Sequence, residues 1–159
     1  MGKPCIFLDR DGVINVSPPK GDYIRNADEF RLIPEVVDWI RIFNALDYRV
    51  IVVTNQRGIA LGLMTEDDLA AIHEKMRNEL AARGARIDDV FYCPHGEGEC
   101  DCRKPRPGMI LEAVRKWDID LDRSAMIGDS KRDEELARAC GLRFIAVRDG
   151  KVTDRQRPS

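Results

Sequence analysis

Short apolar runs alternate with stretches of helical periodicity along the chain. Cys5-Ile-Phe-Leu8 and Arg49-Val-Ile-Val-Val-Thr54 lack the every-second-residue alternation of a half-exposed strand, the pattern of strands covered on both faces. Asp89-Val-Phe-Tyr92, Ser124-Ala-Met-Ile127 and Arg143-Phe-Ile-Ala-Val147 read as three more strands. Between Pro34 and Leu46, apolar Val36, Val37, Ile40 and Phe43 fall at helical spacing, with Pro34 suited to an opening turn. Thr65 and Asp68 form a capping-box pattern, and Leu69, Ile72, Met76 and Leu80 then share one face of a helix that stops near Gly84. Pro107 opens a helix whose Ile110, Leu111, Val114 and Trp117 face inward, and a last helix runs from about Lys131 to Cys140 and ends at Gly141. This alternation predicts an α/β fold, a Rossmann-like three-layer α/β/α sandwich with a mainly parallel sheet. From Gly150 onward the chain is polar, with little to hold it in place.

Length and charge narrow the class. The 159 residues suit one domain over 1–159, large enough to bury a core without disulfide staples. The 26 basic and 28 acidic side chains leave a net charge of −2, which argues against a protein held to nucleic acid by phosphate attraction. No apolar run approaches the ~18 residues of a membrane span, and no signal-peptide core follows Met1 to Pro4, so no membrane contact and a cytoplasmic location are expected. A monomer is expected as well.

The chemistry concentrates at strand ends. In Phe7-Leu-Asp9-Arg-Asp11-Gly-Val13 the two acids are two apart in an extended segment and so share a face just past the first strand, where open α/β sheets bind ligands. Adjacent carboxylates repel unless a cation lies between them, and hard oxygen ligands suit Mg²⁺. Three later elements follow the same logic: Thr54-Asn55-Gln56, Lys104 within Cys102-Arg-Lys-Pro-Arg-Pro-Gly108, and Gly128-Asp129-Ser-Lys-Arg-Asp133. A hydroxyl, an ammonium group and a further carboxylate are thereby expected on the rim that carries Asp9 and Asp11.

In all four motifs the chain resembles the haloacid dehalogenase (HAD) superfamily of phosphotransferases, from about Ile6 to Val147. Phe-Leu-Asp-Arg-Asp-Gly-Val-Ile-Asn15, Val-Val-Thr-Asn-Gln56, Cys-Pro-His95 and Cys-Arg-Lys-Pro-Arg-Pro-Gly108 are similar to its histidinol-phosphate and heptose-bisphosphate phosphatase branch. The resemblance implies an enzyme, a phosphomonoesterase, with Asp9 as nucleophile and Asp11 as general acid and base. Mg²⁺ would be held by Asp9, Asp129 and the Asp11 carbonyl. Lys104 and Mg²⁺ would offset the charge of nucleophile and phosphate, and Thr54 would bind phosphoryl oxygens. Asp133 is read either as orienting Lys104 or a metal-bound water, or as a carboxylate at a helix start. Asn55, Gln56, Arg57 and Arg103 are expected to contact substrate, Arg103 by its match to a recognition position of the heptose-bisphosphate branch. Lys20 is a further candidate, read in preference as solvated.

Cys93-Pro-His95 and Cys100-Asp-Cys102 supply three thiols and an imidazole within ten residues, a Cys₃His set that closes a tetrahedral, structural zinc site over the loop 93–102. Both inter-motif intervals where relatives insert a cap domain are already filled, so no cap is expected. The site should be open, walled by the loop Val16 to Asn26 and by the zinc loop. The expected substrate is a small phosphorylated metabolite, a heptose 1,7-bisphosphate losing its 7-phosphate, with histidinol phosphate or another sugar phosphate as the alternative. A zinc-stabilised binding module is the non-enzyme alternative. Arg57 and Leu61 depart from the branch's usual residues, and His73 reads as structural, far along the chain from any motif.

Overall fold

The computed structural model describes residues 2–96, 98–148 and 150–153. Its strands are β1 (Cys5–Leu8), β2 (Arg49–Asn55), β3 (Asp89–Cys93), β4 (Ala125–Gly128), β5 (Arg143–Arg148) and β6 (Lys151–Val152). The helices are α1 (Pro34–Ala45), α2 (Glu66–Ala81), α3 (Gly108–Trp117) and α4 (Lys131–Ala139). The strands form one sheet in the order β3-β2-β1-β4-β5-β6, parallel throughout except that β6 runs antiparallel to β5. The direction of winding reverses between β1 and β4, so the crevice at their carboxyl ends is the topological switch point of a doubly wound sheet.

Strand residues point alternately to two apolar layers. Ile6, Leu8, Val50, Val52 and Ile127 pack with Val36, Val37 and Ile40 of α1 and Leu69, Ile72, Met76 and Leu80 of α2. Their neighbours Cys5, Phe7, Ile51, Val53 and Met126 pack on the other side with Met109, Ile110 and Ala113 of α3 and Leu136 and Ala137 of α4. Burial on both faces is why β1 and β2 read as unbroken apolar runs. The fold is thus the expected Rossmann-like three-layer sandwich. The capping box at Thr65 is formed, Thr65 Oγ1 accepting from Asp68 N at 3.0 Å and Asp68 Oδ2 from Thr65 N at 2.8 Å. Among the described residues no helix is long and apolar enough to cross a membrane.

Two expectations are corrected. The chain after Gly150 is held, at least through Thr153: Val152 pairs with Val147, and Thr153 N donates to Ala146 O at 2.8 Å. A hairpin supplies backbone bonds that a polar composition does not reveal; residues 154–159 lie outside the described part. Leu111 is 47% exposed, because the buried stripe of α3 runs through Met109, Ile110 and Ala113. Ile72→Ala, at a fully buried α2 position, should therefore lower unfolding free energy by about 2–5 kcal/mol, and Leu111→Ala by less than ~0.5 kcal/mol, in urea denaturation.

Candidate active site

Parallel pairing sets the ends of β1, β2 and β4 level. Leu8 is in register with Val52 on one side and Ile127 on the other, so Asp9, Thr54 and Asp129 emerge along one edge of the sheet. Gly12 lets these groups come together: its φ is +86°, and a Cβ there would collide with the Asp129 carboxylate. Asp9 and Thr54, with Asp11, Asn55 and Lys104, line an open cleft of about 650 Å³, whose remaining lining is Lys20, Ser130, Lys131 and Arg132.

Lys104 is the centre of the arrangement. It is 4% exposed, and its ammonium donates to Asp133 Oδ1 at 2.7 Å, Asp9 Oδ1 at 2.9 Å and Val53 O at 3.1 Å. Burial works against its charge, but the Asp133 and Asp9 carboxylates outweigh burial and hold its pKa above the ordinary lysine value. Asp133 responds in kind: burial pushes its carboxyl up, and the facing Lys104 pulls it below the usual carboxylate range. Asp9 lies well above that range through burial and the nearby Asp133 and Asp129 charges, which Lys104 offsets only in part. Burial and Asp133 push Asp129 up to about 6.

Asp133 reaches both Lys104 and the first turn of α4. Its Oδ1 faces Lys104, while its Oδ2 accepts from Ser130 N at 3.4 Å and its backbone N–H donates to Ser130 Oγ at 3.2 Å, the capping box of α4, with Ser130 Oγ also donating to Oδ2 at 3.0 Å. One carboxylate therefore ties the start of α4 to Lys104.

Asp9, Asp129 and Asp133 each offer a carboxylate oxygen within 4.8 Å of the others. Three crowded acids balanced by one ammonium retain excess negative charge, so the donor set fits a hard divalent cation. The Asp11 side chain is not in that cluster. Its Oδ1 instead accepts from Arg10 Nη2 at 2.7 Å and Asn15 Nδ2 at 2.9 Å.

The other expected residues divide. Thr54 is buried at the cleft wall, its Oγ1 accepting from Gln56 Nε2 at 3.0 Å. Gln56 is 1% exposed and does not reach the cleft; its amide serves Thr54. Asn55 lines the cleft, but its side chain brackets the Lys104 backbone, accepting from Lys104 N at 2.9 Å and donating to Lys104 O at 3.3 Å. Arg57 is exposed and lies off the cleft. Arg103 is 8% exposed, and its Nη1 has no hydrogen-bond partner among the described residues. Lys20, read as solvated, lines the cleft, and the wall facing it comes from Ser130, Lys131 and Arg132 rather than from the body of the zinc loop. The sequence carried no spacing signal for that wall, which depends on where α4 starts.

The zinc loop brings together all four expected donors. Cys102 Sγ is 2.9 Å from Cys93 Sγ, 3.1 Å from Cys100 Sγ and 3.5 Å from His95 Nδ1, and Cys93 Sγ is 3.3 Å from Cys100 Sγ. Three sulfurs and one ring nitrogen converging on a point fit a closed, structural zinc site. Cys102 directly precedes Arg103 and Lys104, so the cluster anchors the segment that delivers the lysine.

A doubly wound sheet that gathers an aspartate pair, a threonine, a lysine and an aspartate cluster at its switch point defines a HAD-like hydrolase. A family model described as HAD-hydrolase-like matches residues 101–159. The chain is 45% identical over 148 residues to the D-glycero-beta-D-manno-heptose-1,7-bisphosphate 7-phosphatase of Rhodopseudomonas palustris, covering 88% of this chain and 81% of that protein. It is 38% identical over 157 residues to the enzyme of the same name from Pasteurella multocida, covering 94% and 84%. The crystal structure of D,D-heptose 1,7-bisphosphate phosphatase from B. bronchiseptica, complexed with magnesium and phosphate, matches with a TM-score of 0.83 at 38% identity, covering 90% of this chain and 79% of that one. The chain belongs to this heptose-bisphosphate phosphatase family of HAD-like hydrolases.

Replacing Lys104 by Met leaves Asp9 and Asp133 buried without their counter-charge. The variant should lose about 3–5 kcal/mol of unfolding free energy in urea titrations. Cys93→Ser should purify with much less than one equivalent of zinc by elemental analysis, against about one for the parent.

Proposed function

We propose that this chain is a Mg²⁺-dependent phosphomonoesterase that removes the 7-phosphate of D-glycero-β-D-manno-heptose 1,7-bisphosphate. The observation that carries the reading is the buried Lys104 bridging Asp9 and Asp133 at the edge of an open cleft, in a chain related over most of its length to enzymes of that name. Asp9 and Asp129, with the backbone carbonyl of Asp11, would hold Mg²⁺, which when bound supplies positive charge against the phosphate. The described elements between the motifs leave no cap over the cleft, which suits a small phosphorylated substrate.

The residues of the chain then divide the work. The Asp9 carboxylate attacks phosphorus, and Lys104 and the Thr54 hydroxyl hold phosphoryl oxygens so that charge is met as it develops. As the bond from phosphorus to the sugar oxygen breaks, Asp11 gives that oxygen its proton. The Asp11 carboxylate next takes a proton from water, and the oxygen of that water forms a bond to phosphorus. The bond to Asp9 breaks, inorganic phosphate leaves, and Asp11 is protonated again. Asp133 positions Lys104, Asn55 holds the Lys104 backbone, and Gln56 orients the Thr54 hydroxyl. Arg103, which precedes Lys104 in the chain and whose buried Nη1 has no hydrogen-bond partner among the described residues, is the group we assign to substrate recognition. Arg57 is left with at most an outer contact.

Asp9→Asn should abolish phosphate release while leaving the folded circular-dichroism spectrum intact, and Asp11→Asn should lower kcat by about 10²–10⁴-fold. Across a panel of phosphate esters, kcat/KM should be highest for the heptose bisphosphate. A higher value for histidinol phosphate would overturn the substrate assignment.

A further inference from the structure

A buried hydrogen-bonded chain leads from the Asp11 carboxylate back to α2. Arg10 is fully buried, and its guanidinium has donors only, so every group around it must accept. Nη2 reaches Asp11 Oδ1 at 2.7 Å, Nε reaches both Asp11 Oδ1 and Asn15 Oδ1 at 3.2 Å, and Nη1 lies 3.3 Å from His73 Nε2. Nε2 therefore accepts, which fixes His73 as the neutral tautomer with its proton on Nδ1. Burial and the Arg10 charge depress the pKa of His73 to about 3, so it stays an acceptor through the neutral range. His73 sits on the core face of α2, 6.1 Å ring to ring from Tyr92.

The two oxygens of Asp11 are left unequal. Oδ1 takes the Arg10 bonds and one from Asn15 Nδ2 at 2.9 Å, whereas Oδ2 has, among the described residues, a single long contact, Gln56 Nε2 at 3.4 Å. An oxygen that already accepts several bonds beside a guanidinium is a poor seat for a proton. Oδ2 is the one able to carry it.

We propose that His73 is a positioning residue for Asp11: through Arg10 it fixes the carboxylate so that Oδ2 is the oxygen that exchanges the proton with the sugar oxygen and then with water. The inference rests on the reading of Asp11 as acid and base and adds to it a residue from an element that bears no motif. Without the acceptor at His73, Arg10 Nη1 is buried and unpartnered, the guanidinium shifts to find another group, and the Asp11 carboxylate loses its fixed orientation. A misplacement of this kind slows chemistry without weakening substrate binding.

The test compares His73→Leu, which keeps the bulk and removes the acceptor, with His73→Gln, whose side-chain carbonyl can accept from Arg10. With the heptose bisphosphate, His73→Leu should lower kcat by about tenfold to a hundredfold at a KM within about twofold of the parent, and His73→Gln should recover most of the loss. Release of nitrophenolate in the first turnover of p-nitrophenyl phosphate needs no proton donor and should fall far less, by under about threefold. Equal losses on the two esters, or an unchanged kcat in folded His73→Leu, would overturn the proposal. If the parent ignores the heptose bisphosphate but cleaves another sugar phosphate, the substrate assignment fails and the same comparison is read on that ester. Imidazole ¹⁵N spectra give a readout independent of turnover. The chain has two histidines, and His73 should show a protonated Nδ1 and a bare Nε2; the opposite tautomer or a charged ring would overturn the proposal even in an inactive preparation.

Discussion

Negative charge packed beyond what its surroundings can neutralise is the constraint around which this molecule is arranged. Asp9, Asp129 and Asp133 meet at the carboxyl edge of the sheet, and the single buried ammonium of Lys104 bridges two of them. Isolated carboxylates so far from water would take up protons. Lys104 keeps Asp133 ionised, whereas Asp9 and Asp129 are still pushed upward by burial and by their neighbours. The residual imbalance makes the site a receptor for a divalent cation, and with that cation for a phosphate.

Each element near the site can be read as a way of holding that arrangement. The parallel pairing of β1 with β4 sets Asp9 beside Asp129, and Gly12 leaves room for the Asp129 carboxylate. The capping box of α4 uses the same carboxylate that grips Lys104, so local helix chemistry and site chemistry share one side chain. Lys104 comes from a loop with little regular structure. Its precision derives from the Cys₃His cluster on one side and the two bonds to Asn55 on the other. Zinc held by that cluster would fix the segment that carries Lys104 without itself entering the cleft.

The three layers, five of the strands and the meeting of Asp9, Thr54 and Lys104 at one edge of the sheet were legible because they depend on local pattern: apolar runs for strands buried twice over, and polar groups just past strand ends. What escaped depends on neighbours distant in the chain. Arg10 lies between two conspicuous acids and gives no sign of its full burial, and the partner that allows it, His73, is 63 residues away. Gln56 and Asn55 read as substrate contacts because they follow Thr54, yet their amides bond Thr54 and, at longer range, Asp11 in the one case and the Lys104 backbone in the other. The β5–β6 hairpin was missed because its pairing is made by backbone atoms, which composition does not encode.

The account depends on Asp9 becoming esterified to phosphate during turnover. Quenching the enzyme in the steady state with substrate, reducing the acyl phosphate with tritiated borohydride and mapping the labelled peptide reads this directly. Label in the peptide that contains Asp9, converted there to homoserine, is the predicted result. Label at another carboxylate, or none while phosphate is being released, would contradict it.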